Sequence, residues 1–261
     1  MKKILIILVL VFALIKGLTL FPETTYDRDL ISNPIQEEYN QNLSVTLQSV
    51  AQIEAFMGDM TVDSNGYVIA LDSLLRQRFY HRCSYYTIKT NALAYLMGTL
   101  FWEHFKAVVI PDEILKFPCA QCSQIAIVFQ SVLLKKGYHV RTVKLRNHFC
   151  TEVFYDGSWH FFDPDFEPKI NEVRNIPSVA ELLSNDTLLQ KLYNLSPGHK
   201  VHLYGVKFHF DKEYLEINEP NKIAAQNMRI LHWILNFAVN YGWLIFGCMY
   251  ILVQLKARRK K

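Results

Sequence analysis

Cys122, His148 and Asp163 are the residues of this 261-residue chain whose types and order could carry nucleophilic chemistry. A cysteine attacks as its thiolate, so it needs a base nearby to remove the proton. A histidine can take that proton and later hand it to a leaving amine. An aspartate on the other ring nitrogen fixes tautomer and orientation. The reading therefore assigns Cys122 as nucleophile, His148 as base and Asp163 as orienting acid, provided the fold brings them together.

The local pattern indicates how it could. From Cys122 onward, Ile125, Ala126, Phe129, Val132 and Leu133 trace one stripe of a helix. Lys135 and Lys136 suit its last turn, and Gly137 follows where a left-handed cap is wanted. Cys122 would open this helix, where unpaired N–H groups and the helix dipole favour thiolate over thiol. Residues 140–145 read as a strand, and residues 148–155 and 158–163 as a hairpin about Asp156-Gly157, a strong two-residue turn signal. With that turn, Tyr155 faces Ser158, Cys150 faces Asp163 and His148 faces Asp165. His148, Cys150 and Asp163 then share one face, with His148 diagonal to Asp163 and their Cβ atoms up to ~7–8 Å apart. The triad assembles if the helix N-terminus packs on that face.

These residues carry a resemblance. Cys122 with Ala126, Gly137 and Arg141 resembles the transglutaminase-like superfamily, where a Cys opens the core helix and Ala, Gly and Arg follow at those offsets. His148, Glu152 and Val153 match the family's His-x-x-x-Glu-Val strand, and Trp159, Asp163 and Pro164 match the strand that ends in its Asp. The resemblance covers about residues 66–168. It implies an α+β, papain-like core, a helix bearing the Cys packed on an antiparallel sheet, with a Cys122-His148-Asp163 triad and thiol acyl chemistry. The backbone N–H of Cys122 is the expected oxyanion donor, with Gln121 as a second candidate. One departure bears on that site: Ala120 stands where the family usually has Gly, two residues before the Cys.

The rest of the body reads more plainly. Residues 22–45 form a polar, turn-rich spacer. Leu47, Val50, Ile53, Phe56 and Met57 predict a helix, and Val68, Leu71, Leu74, Leu75 and Phe79 a second. Residues 90–104 predict a third, buried and too short to span a membrane. A helix is expected over residues 179–183 and a strand over residues 202–210. Cys122 is expected to be free, with Cys119 free or paired to Cys83. Cys119, Cys122, His148 and Cys150 could alternatively bind zinc. Glu152 and Arg141 are expected to serve the fold, as an ion pair. No partner is evident for His81, and nothing indicates a cofactor.

Two hydrophobic segments flank this body. Residues 1–21 begin Met-Lys-Lys and continue apolar, interrupted at Lys16, which suits either a cleaved signal peptide or an anchor. Between Arg229 and Lys256 lie 26 residues without Asp, Glu, Lys or Arg, a transmembrane signal. Asn236, Asn240 and His232, unusual in lipid, would face a partner helix or the interface. Lys256, Arg258, Arg259, Lys260 and Lys261 follow as a basic tail. The formal net charge of +4 is thus misleading: without the eight basic residues at the two ends, 20 basic stand against 24 acidic. A basic, nucleic-acid-binding body is excluded. Charged residues at 20% and hydrophobic ones at 51% exclude a disordered chain.

The expectation is a transglutaminase-like domain over residues 46–228, held by a transmembrane helix at residues 229–255 with the tail at 256–261 cytoplasmic and the domain periplasmic or extracellular. It would act as a cysteine peptidase, amidase or acyl transferase on a peptide or amide substrate, such as an envelope or surface protein, through a thioester. The alternatives are an inactive binding module of the same fold, or a zinc- or disulfide-stabilised structural domain.

Overall fold

In the computed structural model, which describes residues 2–20, 39–58, 64–81, 84–166, 175–193 and 210–259, helix and sheet are mixed in an α+β arrangement with one long apolar helix at the C-terminus. In chain order the elements are helices α1 (Lys2–Leu18), α2 (Gln41–Thr46), α3 (Val50–Gly58) and α4 (Ser64–Arg78), strand β1 (Tyr80–His81), then α5 (Ile88–Leu100) and α6 (Pro111–Ile114). Strand β2 (Cys119–Ala120), helix α7 (Cys122–Lys136) and strands β3 (His139–Lys144), β4 (Phe149–Tyr155) and β5 (Ser158–Phe162) follow. Helices α8 (Val179–Ser184) and α9 (Asp186–Leu192), strand β6 (Glu216–Ile217) and the C-terminal helix (Gln226–Arg258) complete them. The chain divides into two compact units: Met1–Ser32, Tyr85–Val108 and Asn227–Lys261 in one, Asn33–Ser84 and Val109–Gln226 in the other.

The second unit is built around α7. Gly137 ends this helix in the left-handed conformation (φ 98°), bonding back to Leu133 and Leu134, as the sequence predicts. The sheet order is β5-β4-β3-β6, all antiparallel. Asp156 (φ 49°) and Gly157 (φ 78°) both adopt positive φ, as a type I′ turn demands. Tyr155 pairs with Ser158 and Thr151 with Phe162, the expected register. The body of α7 lies on the sheet face bearing Thr142, Thr151 and Phe162. Gln130 donates to Thr151 Oγ1 (2.9 Å) and accepts from Thr142 Oγ1 (3.1 Å), and the Phe129 ring centroid is 5.7 Å from that of Phe162. Ile53, Met57, Val68, Leu71, Leu75 and Ile114 from the surrounding helices complete the core and are fully buried. Arg78 is buried among them and donates to the carbonyls of Leu47, Phe117 and Leu115, which ties two segments to one guanidinium. Its burial lowers its pKa to about 10.

Several boundaries differ from the sequence pattern. The stripe from Leu47 to Met57 is not one helix: Leu47 is the C-cap of α2, whose residues lie mostly in the expected spacer. Helix α3 starts afresh at Val50, where Ser49 Oγ accepts the Gln52 N–H and Asp112 Oδ1 accepts that of Val50. The third helix stops at Leu100, is non-helical at Asn91, and gives way to a 3-10 turn at Glu103–Lys106. It is also not buried throughout: Leu96, Leu100, Phe101 and Trp102 are exposed. The physical reason is its company, since it belongs to the unit of the apolar terminal helices and not to the core around α7. Of the strand expected at residues 202–210, residues 202–209 lie outside the described residues, as does Cys83.

In the first unit α1 runs antiparallel to the C-terminal helix. Lys2 Nζ donates to Gln254 Oε1 (3.0 Å), Lys16 Nζ to Asn240 Oδ1 (2.7 Å), and Phe12 meets Phe246 at 5.3 Å. A Cβ on Gly242 would collide with the Phe12 ring, so glycine permits the close approach. Lys16 and Asn240, each costly in lipid alone, satisfy one another. His232 Nε2 donates to the Phe105 carbonyl at 2.7 Å and meets the Tyr86 ring edge-on at 5.0 Å. The C-terminal helix alone among the described residues is long and apolar enough to cross a membrane.

Candidate active site

The first turn of α7 is placed by its polar side chains. Gln121 precedes the helix in extended conformation, and Gln124, buried inside the first turn, accepts from the N–H groups of Gln121 (3.2 Å) and Ser84 (2.9 Å). Gln124 Nε2 also donates to the Ser84 carbonyl at 2.8 Å, and the Ser84 hydroxyl donates to that of Cys119. The segment before Cys122 is thereby held on two sides. Cys122, half-buried with a free thiol, heads the helix.

His148 stands one residue before β4 and Asp163 one residue after β5, at the same end of the hairpin. The imidazole Nε2 donates to Asp163 Oδ2 at 2.8 Å, and both side chains are buried. Asp163 Oδ2 also accepts from the Tyr193 hydroxyl (2.7 Å), and Oδ1 from the Phe166 N–H (3.3 Å). The Phe166 ring stacks on His148 at 4.1 Å. The other imidazole nitrogen faces Cys122 and Asp165: ligand atoms of Cys122, His148 and Asp165 lie within 4.8 Å of one another. The three residues singled out from sequence are therefore together. The condition on the faces is met differently from expectation. The body of α7 packs on the Thr151 face, and by strand alternation Cys150 lies on the other. Cys122 reaches His148 because His148 lies beyond the strand, where the pleat no longer dictates direction.

Burial alone would lower the His148 pKa, but the Asp163 carboxylate more than offsets it, and the imidazolium is held well above its ordinary range. Burial would likewise raise Asp163; the charge of His148 and the donors from His148, Tyr193 and Phe166 outweigh it and hold the carboxyl below its ordinary value. Cys150 also lies close to His148 and Asp163, as the register predicts, but burial pushes its thiol far up and keeps it protonated. Gln121, the second candidate oxyanion donor, gives one of its two amide hydrogens to Ser123 Oγ at 3.3 Å.

Three contributors were not anticipated in their roles. Tyr193 comes from the end of α9, and no sequence period connects it to Asp163. Asp165 had a signal, since the hairpin register extended past its strands sets it opposite His148; its Oδ2 is 3.9 Å from His148 Nδ1. His81, which had no evident partner, lies with Nε2 3.3 Å from Asp165 Oδ1. The zinc set considered from sequence is not assembled: among the described residues, the groups able to share an ion are Cys122-His148-Asp165 and His148-Cys150-Asp163, and Cys119 is in neither. Arg141 and Glu152 do pair, at 2.7 Å. Compared with known proteins, the chain matches no family model, no curated protein and no solved structure.

Proposed function

We propose that this chain is a membrane-anchored cysteine enzyme of transglutaminase-like, papain-like type, acting on an amide or peptide bond through Cys122, His148 and Asp163. The observation that carries the reading is the placement of His148: Asp163 holds one ring nitrogen at 2.8 Å while the other faces Cys122 at the head of a helix. His148 takes the Cys122 proton, and the thiolate attacks the substrate carbonyl carbon. Negative charge on the oxygen is met by the Cys122 backbone N–H, which has no acceptor within its own helix. The C–N bond breaks as His148 returns the proton to the leaving amine, leaving a thioester on Cys122. Water, activated by His148, then releases the acid, or a second amine takes the acyl group; hydrolysis is the preferred outcome.

The antiparallel pairing of α1 with the C-terminal helix puts Lys2 beside Gln254, so both basic ends lie at one end of the pair. This supports α1 as a retained anchor, with both ends cytoplasmic and the catalytic unit outside. The test of the catalytic reading uses the full chain in detergent with iodoacetamide near neutral pH. Cys122 is expected to label first, and His148→Ala to slow it. Equal, slow labelling in both forms would sink the reading.

A further inference from the structure

The geometry points to a second ligand for this site: a zinc-type divalent ion held by Cys122 Sγ, His148 Nδ1 and Asp165 Oδ2, which occupies the nucleophile reversibly. The inference deepens the proposed function, since the ion would act as an off-switch for that enzyme. The residue types are those a tetrahedral zinc site uses: a thiolate, an imidazole and a carboxylate. Their mutual spacing fits as well. Zinc–ligand bonds of ~2.0–2.3 Å place neighbouring ligand atoms of a tetrahedron roughly 3.3–3.8 Å apart. His148 Nδ1 and Asp165 Oδ2 are 3.9 Å apart, and all three ligand atoms fall within 4.8 Å, so small side-chain adjustments close the site.

The surroundings are those of a built site. Metal-bound histidines characteristically donate their second ring nitrogen to a carboxylate. His148 does so to Asp163 at 2.8 Å, and Tyr193 holds Asp163 in turn. Asp165 has its own outer partner, because His81 Nε2 lies 3.3 Å from Oδ1, leaving Oδ2 turned to His148. Asp165 is nearly buried, and the proposed acyl-transfer steps give it no task. Three protein ligands leave the fourth position of the tetrahedron for water or a substrate atom. Binding uses the sulfur lone pair and the Nδ1 lone pair that acyl transfer would need, so ion and acyl chemistry exclude each other.

The experiment strips the full chain in detergent with EDTA and titrates it with Co2+, then with Zn2+. A thiolate-to-cobalt charge-transfer band should grow to one equivalent with visible bands of tetrahedral cobalt, and Zn2+ should displace them. Asp165→Asn should weaken affinity at least ~10-fold, and His81→Ala by roughly 10-fold, with far-ultraviolet circular dichroism reporting on folding. The wild-type spectrum decides without any variant: no thiolate band, or one that persists in Cys122→Ala, overturns the site. One equivalent of Zn2+ should also block Cys122 alkylation, and EDTA should restore it; full-speed alkylation with zinc bound overturns the off-switch. If the stripped protein alkylates slowly with and without His148 while the cobalt band still forms, the catalytic reading fails and the metal site stands.

Discussion

Two charge pairs with buried carboxylates sit on the same four-stranded sheet, and they differ in what lies behind the cation. Arg141 and Glu152 face each other across β3 and β4; Nε and Nη2 of the arginine both reach Glu152 Oε2 at 2.7 Å. Glu152 Oε1 accepts the Val179 N–H at 2.7 Å, and the guanidinium lies 4.2 Å over the Trp159 ring. The pair is closed: it joins two strands to the start of α8 and offers nothing reactive. His148 and Asp163 are as well bonded on the carboxylate side, yet the other imidazole nitrogen is directed at a thiol. Burial and charge therefore do not distinguish a site from a brace. The distinction is a reactive atom placed against a group held by everything else.

The largest expected effects separate the two pairs outright. Cys122→Ala should abolish thioester formation and fast alkylation while leaving the unfolding transition nearly unchanged, as read by intact-protein mass spectrometry and thermal melts. His148→Ala should lower turnover by about 100- to 10,000-fold, the ordinary worth of a positioned base. Glu152→Ala should do the reverse: it removes the acceptor of the half-buried Arg141 and of the Val179 N–H and should cost about 1.5–3 kcal/mol of stability by urea denaturation. Turnover per folded molecule should then stay within a few-fold of wild type. A Glu152→Ala protein that is stable but dead would erase the comparison.

The parts of the site that could be read from the sequence are those fixed by local rules. Asp156-Gly157 dictates a two-residue turn, the turn dictates register, and register puts Cys150, Asp163 and His148 at one end of the ribbon. Gly137 and the stripe from Ile125 to Leu133 dictate the helix that Cys122 opens. The contacts between elements were not legible. Gln130 docks α7 on Thr142 and Thr151, and Gln124 staples its first turn to Ser84, through side-chain pairs that no period encodes. Tyr193 reaches Asp163 from 30 residues further along, and His81 reaches Asp165 from before α5. A helix stripe also runs on through a cap, which is why Leu47, the C-cap of α2, reads as part of the helix that starts only at Val50.

The pH dependence of stability should sharpen the contrast. The folded pKa of His148 is raised, so its contribution is complete below the unfolded value of ~6.5 and is lost as pH rises through the folded value. The folded pKa of Asp163 is lowered, so its contribution is complete above ~3.9 and is lost as pH falls through the folded value. The difference in unfolding free energy between wild type and His148→Gln should thus be greatest between about pH 4 and pH 6.5 and shrink on both sides. A difference that stays flat from well below pH 4 to well above pH 6.5 would mean the pair is not ionised in the folded chain.

The smallest effect tests how far the bracing of Asp163 matters. Tyr193→Phe removes the hydroxyl that donates to Asp163 Oδ2 at 2.7 Å but keeps the ring that meets Phe210 at 5.3 Å. A hydrogen bond to a charged group contributes about 1.5–3 kcal/mol, and the donors that remain from His148 and Phe166 should hold the loss near the lower figure. That donor is one of the interactions lowering the Asp163 pKa, so its removal should raise the pKa and shift the acid limb of stability to higher pH. Turnover near neutral pH should fall only a few-fold, because Asp163 stays ionised there and still holds His148. If turnover instead falls as far as in His148→Ala, Tyr193 is as necessary to the placement of the imidazole as Asp163 itself. The open pair would then depend on a contact from α9 as fully as the closed pair depends on Val179.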